Sequence, residues 1–135
     1  MHAQPPRPLM VLGLDGLPLD LAHRLALDGT CPHLARLLPD ARTILAELPE
    51  LSPVNWTSFF TARGPEDHGV FGFTRINART YEMSITDFSQ VRLPTLWDRL
   101  GEAGFGSRVV NLPNTWPARP LKGMMVSGFV AREAR

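Results

Sequence analysis

The sequence predicts an α/β fold with a mostly parallel sheet flanked by helices. Short apolar runs alternate with amphipathic helical patterns along the chain, and the runs have about the five-residue length usual for parallel strands. Hydrophobic residues make up 44% of the 135 residues and charged residues 20%, a globular composition. Because this length suits one domain, we expect residues 1–135 to form a single α/β domain.

The first half of the chain is predicted to contain two strands and three helices. The run PLMVLGLD predicts a buried strand over residues 9–14 that enters a glycine turn. Leucines spaced four apart and ending before Gly29 predict an amphipathic helix with a glycine cap. The other segments are a short helix from Pro32 to before Pro39, a strand in RTILAELP, a helix in SPVNWTSFFTAR and a loop in GPEDHG.

The second half begins with residues 71–93, which predict either a hairpin or an irregular excursion. The pattern then resumes with a helix in PTLWDRLGEAG, a strand in SRVVNLP, a proline-rich loop in TWPARPLKG and a buried strand in MMVSGF. A sheet of only about four strands is small for this class. We therefore expect the chain to be the truncated N-terminal part of a larger domain, with a flexible N-terminus over residues 1–7.

Charge and cysteine content exclude several classes of protein. The formal net charge is +1, so neither a nucleic acid nor an acidic membrane surface is expected as a partner. A single cysteine, Cys31, rules out an internal disulfide. The apolar run near the N-terminus is too short for a signal peptide or a membrane span, which makes the cytoplasm the expected location.

Asp15 is the first candidate site residue. It follows the first predicted strand, and ligands of open α/β sheets bind at the carboxyl ends of strands. Gly16 lets the backbone turn away, which leaves the carboxylate able to bind a divalent metal or a basic group. A turn or helix-capping aspartate has the same local sequence, so both interpretations stand.

Ser52 is the second candidate. Serine followed by Pro53 is typical of a helix N-cap, in which the hydroxyl accepts from free backbone amides. The same position suits a nucleophile, because the positive end of the helix stabilises an alkoxide and holds phosphoryl oxygens. Spacing alone favours the cap.

Other polar and aromatic residues are given structural roles. Thr57 and Thr61 lie on the same predicted helix and are expected to be surface or packing residues. His68 is expected to fasten its loop, since no second histidine lies near it at ligand spacing. An aromatic group is expected in the core, consisting of Trp56, Phe59, Phe60, Phe71 and Phe73.

Taken together, five motifs resemble one protein family. They are VLGLDG, PHLARLL, LSPVNWTSFFTARGPEDHGVFGF, PTLWDRLGEAG and VVNLPNTWPARPLKGMMVSGF, in that order over roughly residues 8–130. The series is similar to the type I phosphodiesterase/nucleotide pyrophosphatase family of the alkaline phosphatase superfamily. The resemblance implies a hydrolase of phosphate esters or nucleotides with two divalent metal ions, usually zinc, and a covalent phospho-enzyme.

The resemblance also implies roles for individual residues. Asp15 matches the first metal ligand, and Ser52 matches the nucleophile, which also ligates metal; Thr57 is the alternative nucleophile. Thr61 matches the threonine of a structural Thr-Gly pair, here followed by Ala62. A phosphate-contacting asparagine of some members would align near Phe73, so that contact is absent or supplied differently.

The remaining metal ligands implied by the family, two aspartates and three histidines, lie downstream of this chain's motifs. The expected molecule is therefore a metal-dependent phosphodiesterase or nucleotide pyrophosphatase segment that is inactive by itself. Two alternatives remain open: an inert remnant that binds phosphate or nucleotide, and a structural fragment that needs a complementing chain.

Overall fold

The structure is a computed structural model that describes residues 8–128. The predicted flexible segment 1–7 lies outside the described residues. The chain divides into two compact units, Met1–Thr43 and Ile44–Arg135.

The first unit contains the two predicted helices. Helix α1 spans Leu19–Leu27 and helix α2 spans Leu34–Leu37, with a 3-10 turn over Leu38–Asp40. Gly29 follows the end of α1 with a φ of 80°, a left-handed conformation that glycine adopts without strain. Both predictions are confirmed, although the 3-10 turn carries the second helix through Pro39 rather than stopping before it.

The strands predicted for residues 9–14 and for RTILAELP are wrong. Both segments lack strand pairing, and their apolar side chains are exposed, with Met10 at 89% and Leu45 at 98%. An apolar run favours burial but forms a strand only beside a hydrogen-bonding neighbour. Within the described residues, the paired strands lie elsewhere, so neither run has such a neighbour.

The described part of the second unit, residues 44–128, holds three helices, four strands and a 3-10 turn. The helices are α3 (Ser52–Thr61), α4 (Pro65–His68) and α5 (Leu96–Glu102); the strands are β1 (Thr74–Ile76), β2 (Met83–Ile85), β3 (Ser107–Leu112) and β4 (Gly123–Ser127); the 3-10 turn is Phe88–Gln90. The loop predicted for GPEDHG is thus one helical turn. Pro65 begins that turn and Gly69 ends it in a left-handed conformation.

The predicted α/β class is confirmed, but the sheet differs from the one expected. The four described strands form two separate pairs instead of one mostly parallel sheet. Strands β1 and β2 form an antiparallel hairpin, one of the two alternatives for residues 71–93, whereas β3 and β4 pair in parallel. Strand β4 was expected to be buried, yet Met124 and Val126 remain about half exposed.

Three aromatic rings form the centre of the core in the second unit. Phe60 of α3 lies 5.8 Å from Phe88 and 5.2 Å from Trp97 of α5, measured between ring centroids. Val70 and Val91 complete the buried cluster. The aromatic core predicted from the sequence is therefore wrong for Phe59, Phe71 and Phe73, which are 41–59% exposed.

Two glycines of the second unit provide a matched test of the pairing between β3 and β4. Gly123, the first residue of β4, has a φ of 138°, and an added Cβ would collide with the backbone of Ser107 in β3. Gly101 lies inside α5, where an added Cβ would make only an ordinary 3.7 Å contact with Lys122.

We predict opposite effects of alanine at these positions, measured by urea unfolding of the 135-residue chain. Gly123→Ala should lower the free energy of unfolding by about 1–3 kcal/mol, because backbone strain and overpacking coincide. Gly101→Ala should raise it by roughly 0.5–1 kcal/mol, because alanine has the higher helix propensity. Equal effects of the two substitutions would contradict the described β3–β4 pairing.

Candidate active site

Ser52 is the first residue of α3. The N-cap position belongs to Leu51, whose backbone is extended, and Pro53 is the second helical residue. The prediction that Ser52 is the N-cap is therefore wrong, because the helical conformation begins at Ser52 itself and the N-cap position falls on Leu51. The partly buried Ser52 hydroxyl lies at the end of the helix where backbone amides and the helix dipole favour negative charge.

Asn55 fixes the first turn of α3 to the segment that precedes it. Its Oδ1 accepts from the backbone N–H of Glu47 at 2.9 Å, and its Nδ2 donates to the Glu47 carbonyl at 3.4 Å. The same Nδ2 lies 3.3 Å from the Leu51 carbonyl oxygen. The backbone on either side of Ser52 is therefore tied together by one side chain.

Thr57 lies one turn after Pro53 and is fully buried. Its hydroxyl donates to the Pro53 carbonyl at 2.6 Å and accepts from Nδ2 of Asn114 at 2.9 Å. Thr61, also buried, donates to the Thr57 carbonyl at 2.7 Å. The expected packing roles of both threonines agree with these contacts.

His68 fastens α4 to α3, as expected from the sequence. Its Nδ1 accepts from the backbone N–H of Val70 at 3.1 Å, so the ring proton of the neutral form lies on Nε2. Nε2 then donates to Oγ of Ser58, 3.0 Å away. Burial lowers the pKa of His68, and the nearby carboxylates of Glu66 and Asp67 oppose that shift only in part.

Asp15 occupies an exposed turn in the first unit. Gly16 follows it with a φ of 70°, as expected for a residue that turns the backbone away. The predicted strand before Asp15 is not formed, so its position at a strand end is not realised. Asp15 and Ser52 belong to different units.

The described residues do not by themselves fit a metal centre. Within residues 8–128 there is no group of three or more His, Cys, Asp or Glu side chains placed to hold a metal ion. A protein metal site commonly needs three or four such ligands for each ion. Asp15 and Ser52 would therefore need further ligands.

Asn114 contacts Thr57 in the helix that carries Ser52, and sequence reasoning missed it. It is only 2% exposed, lies two residues after the end of β3, and has a φ of 58°. Asparagine tolerates that left-handed conformation, and the carboxyl end of a parallel strand is where α/β sites form. Those two signals in NLPNTWP could have identified it.

The comparisons with known proteins define the class of molecule. A family model described as Type I phosphodiesterase / nucleotide pyrophosphatase matches residues 9–132. The chain belongs to this family, a class of phosphodiesterase- and pyrophosphatase-type hydrolases, and its architecture is α/β, of the alkaline phosphatase kind. The comparisons with curated proteins and with solved structures gave no match. None of the described helices is long and apolar enough to cross a membrane.

We predict that His68 makes stability depend on pH. Because its folded-state pKa is lowered, the unfolded chain binds the proton first on acidification. Its contribution is complete above the ordinary pKa of 6.5 and is lost as pH falls from there through the folded-state value. Urea unfolding between pH 8 and pH 5 should show this loss.

The matched comparison is His68→Asn against His33→Asn. His68→Asn should flatten the pH dependence in that range, because asparagine does not titrate. His33 is exposed in the first unit, so its variant serves as the control for loss of an imidazole outside the contact between α3 and α4. An unchanged slope in His68→Asn would assign the pH dependence to other groups.

Proposed function

We propose that this chain is the nucleophile-bearing part of a metal-dependent phosphoric ester hydrolase, with Ser52 as the nucleophile. The observation that carries the proposal is the position of Ser52 at the start of α3, in a chain that belongs to the phosphodiesterase family. Small phosphate esters or nucleotides are the proposed substrates, and the cytoplasm is the proposed location.

The proposed reaction begins with attack by the Ser52 oxygen on phosphorus. A new O–P bond forms as the bond from phosphorus to the leaving oxygen breaks, the serine proton is lost, and the departing alcohol takes up a proton. Water then cleaves the phosphoserine and releases phosphate or a phosphomonoester. The amides at the start of α3 would hold a phosphoryl oxygen during both displacements.

The surroundings of Thr57 support Ser52 over the alternative nucleophile. The Thr57 hydroxyl donates a hydrogen bond to the Pro53 carbonyl and accepts one from the side-chain N–H of Asn114, and the residue is fully buried. A nucleophile in that position would have to break both bonds and reach a substrate through packed protein. Ser52, by contrast, is only partly buried and lies at the first position of the helix.

We further propose that Asp15 is one of the ligands in a site that holds two divalent metal ions, and that these ions are zinc. The remaining ligands would come from outside these 135 residues, which makes the chain part of a larger single α/β domain and leaves it inactive alone. Sequencing the coding DNA beyond the codon for Arg135 tests this arrangement. Downstream Asp and His motifs in frame would support it, and a stop codon would refute it.

A binding remnant is the second candidate. It is favoured by the lack of a ligand cluster among the described residues, since a helix start can hold phosphate without metal. Calorimetric titration of the 135-residue chain with inorganic phosphate, in the presence of a metal chelator, distinguishes the two. Binding without metal supports the remnant, whereas the hydrolase proposal expects none.

We predict that Ser52→Ala in the natural gene product lowers the turnover of bis(p-nitrophenyl) phosphate by roughly 10³-fold or more, because the attacking oxygen is removed. Thermal unfolding should change little. Mass spectrometry of acid-quenched wild-type enzyme should find phosphate on Ser52. Phosphate on Thr57 instead, or an active Ser52→Ala variant, would refute the assignment.

We predict that Asp15→Ala lowers the zinc content of the natural gene product, because one carboxylate ligand is lost. Asp20→Ala is the matched control, since Asp20 is an exposed carboxylate in the first turn of α1. Metal analysis after dialysis should show the loss only in Asp15→Ala. Equal zinc content in both variants would remove Asp15 from the proposed metal site.

A further inference from the structure

We propose that Asn114 is a positioning residue that acts through Thr57 to fix the first turn of α3. The two residues are 57 positions apart in sequence, and Asn114 lies just beyond the end of β3. Their contact therefore ties the end of a parallel strand to the helix turn that carries Ser52. The catalytic consequence of this link depends on the proposed function, whereas the link itself does not.

Two successive hydrogen bonds lead from Asn114 through Thr57 to Pro53, and in each of them the residue nearer Asn114 is the donor. Asn114 Nδ2 donates to Thr57 Oγ1 at 2.9 Å, and Thr57 Oγ1 donates to the Pro53 carbonyl at 2.6 Å. Because the single hydroxyl proton is used on Pro53, the hydroxyl oxygen can only accept from its other neighbour. A rotated Asn114 amide would place oxygen against oxygen, so the contact fixes the orientation of the amide.

The carbonyl oxygen of the Asn114 side chain shows that burying this amide has an unfavourable free energy. Asn114 Oδ1 is buried and has no hydrogen-bond partner among the described residues. An unsatisfied buried carbonyl is unfavourable, and an apolar side chain would remove that penalty. Asparagine at this position is therefore explained by the bond it donates and by its tolerance of a φ of 58°.

Thr61 provides an internal comparison. It is another buried threonine of α3, and it also donates to the carbonyl four residues earlier, at 2.7 Å. Its bond stays within the helix and lies at the end opposite Ser52. The contact from Asn114 is what distinguishes Thr57, so Thr57→Val and Thr61→Val differ in the link under test.

Amide hydrogen exchange of the 135-residue chain tests the link directly. The Asn55 amide, bonded to the Leu51 carbonyl at 3.0 Å, reports on the first turn of α3, and the Thr61 amide reports on the last turn. Thr57→Val should speed exchange at Asn55 by about 10-fold relative to Thr61, as expected for local opening of one turn. Thr57→Ser, which keeps the hydroxyl, should show the wild-type ratio of the exchange rate at Asn55 to that at Thr61. Thr61→Val should not raise this ratio.

Two variants of Asn114 complete the test. Asn114→Gly removes the donor but permits the left-handed backbone, and Asn114→Asp keeps the shape but removes the amide donor. Each should reproduce the exchange pattern of Thr57→Val, and Thr57→Val combined with Asn114→Gly should add little further, because both changes break one link. Uniform acceleration along α3, or none, in the folded Thr57→Val variant would overturn the proposal.

Kinetics of the natural gene product on bis(p-nitrophenyl) phosphate test the catalytic consequence. Thr57→Val and Asn114→Gly should lower kcat by about 10- to 100-fold with KM nearly unchanged, because a displaced nucleophile loses alignment. Thr57→Ser should recover most of kcat. An unchanged kcat despite faster exchange at Asn55 would overturn the positioning role. Absence of turnover in the wild type would refute the proposed function, and the exchange ratio would still decide the link.

Discussion

The packing of Phe60 against Phe88 and Trp97 is the contact on which the second unit depends. It joins α3 to α5 and to the 3-10 turn, so burial of three rings fixes elements that are far apart in sequence. Arg119 extends the same core from the loop before β4. Its guanidinium lies 3.8 Å from the centroid of the Phe88 ring and donates to the carbonyls of Phe88 and Val91. Burial lowers the pKa of Arg119 without removing its charge at neutral pH.

The helices could be predicted because their signals are local. A glycine after α1, a proline near the start of α3 and the Thr95–Asp98 capping box of α5 each act within a few residues. Strands at residues 9–14 and in RTILAELP could not be excluded in the same way. Their apolar character is visible in the sequence, but pairing depends on a neighbour that local sequence does not specify.

In the candidate site, too, the features set by local sequence could be predicted, whereas those set by distant residues could not. The start of α3 near Ser52 follows from the Ser-Pro pair, and the fastening role of His68 was predictable from its isolation among the histidines. The bond from Asn114 to Thr57 crosses 57 positions and leaves no local pattern. Phe88 escaped prediction for the same reason, because its burial comes from rings on other elements.

The hairpin β1–β2 contributes none of its strand residues to the buried core. All six residues of its two strands are exposed, and Ile76 opposite Met83 forms an apolar pair facing solvent. Substitution of exposed residues changes stability little, so this segment is open to evolutionary drift that the core forbids. The surface of this hairpin can therefore change residue by residue without disturbing the Phe60 core or the turn that carries Ser52.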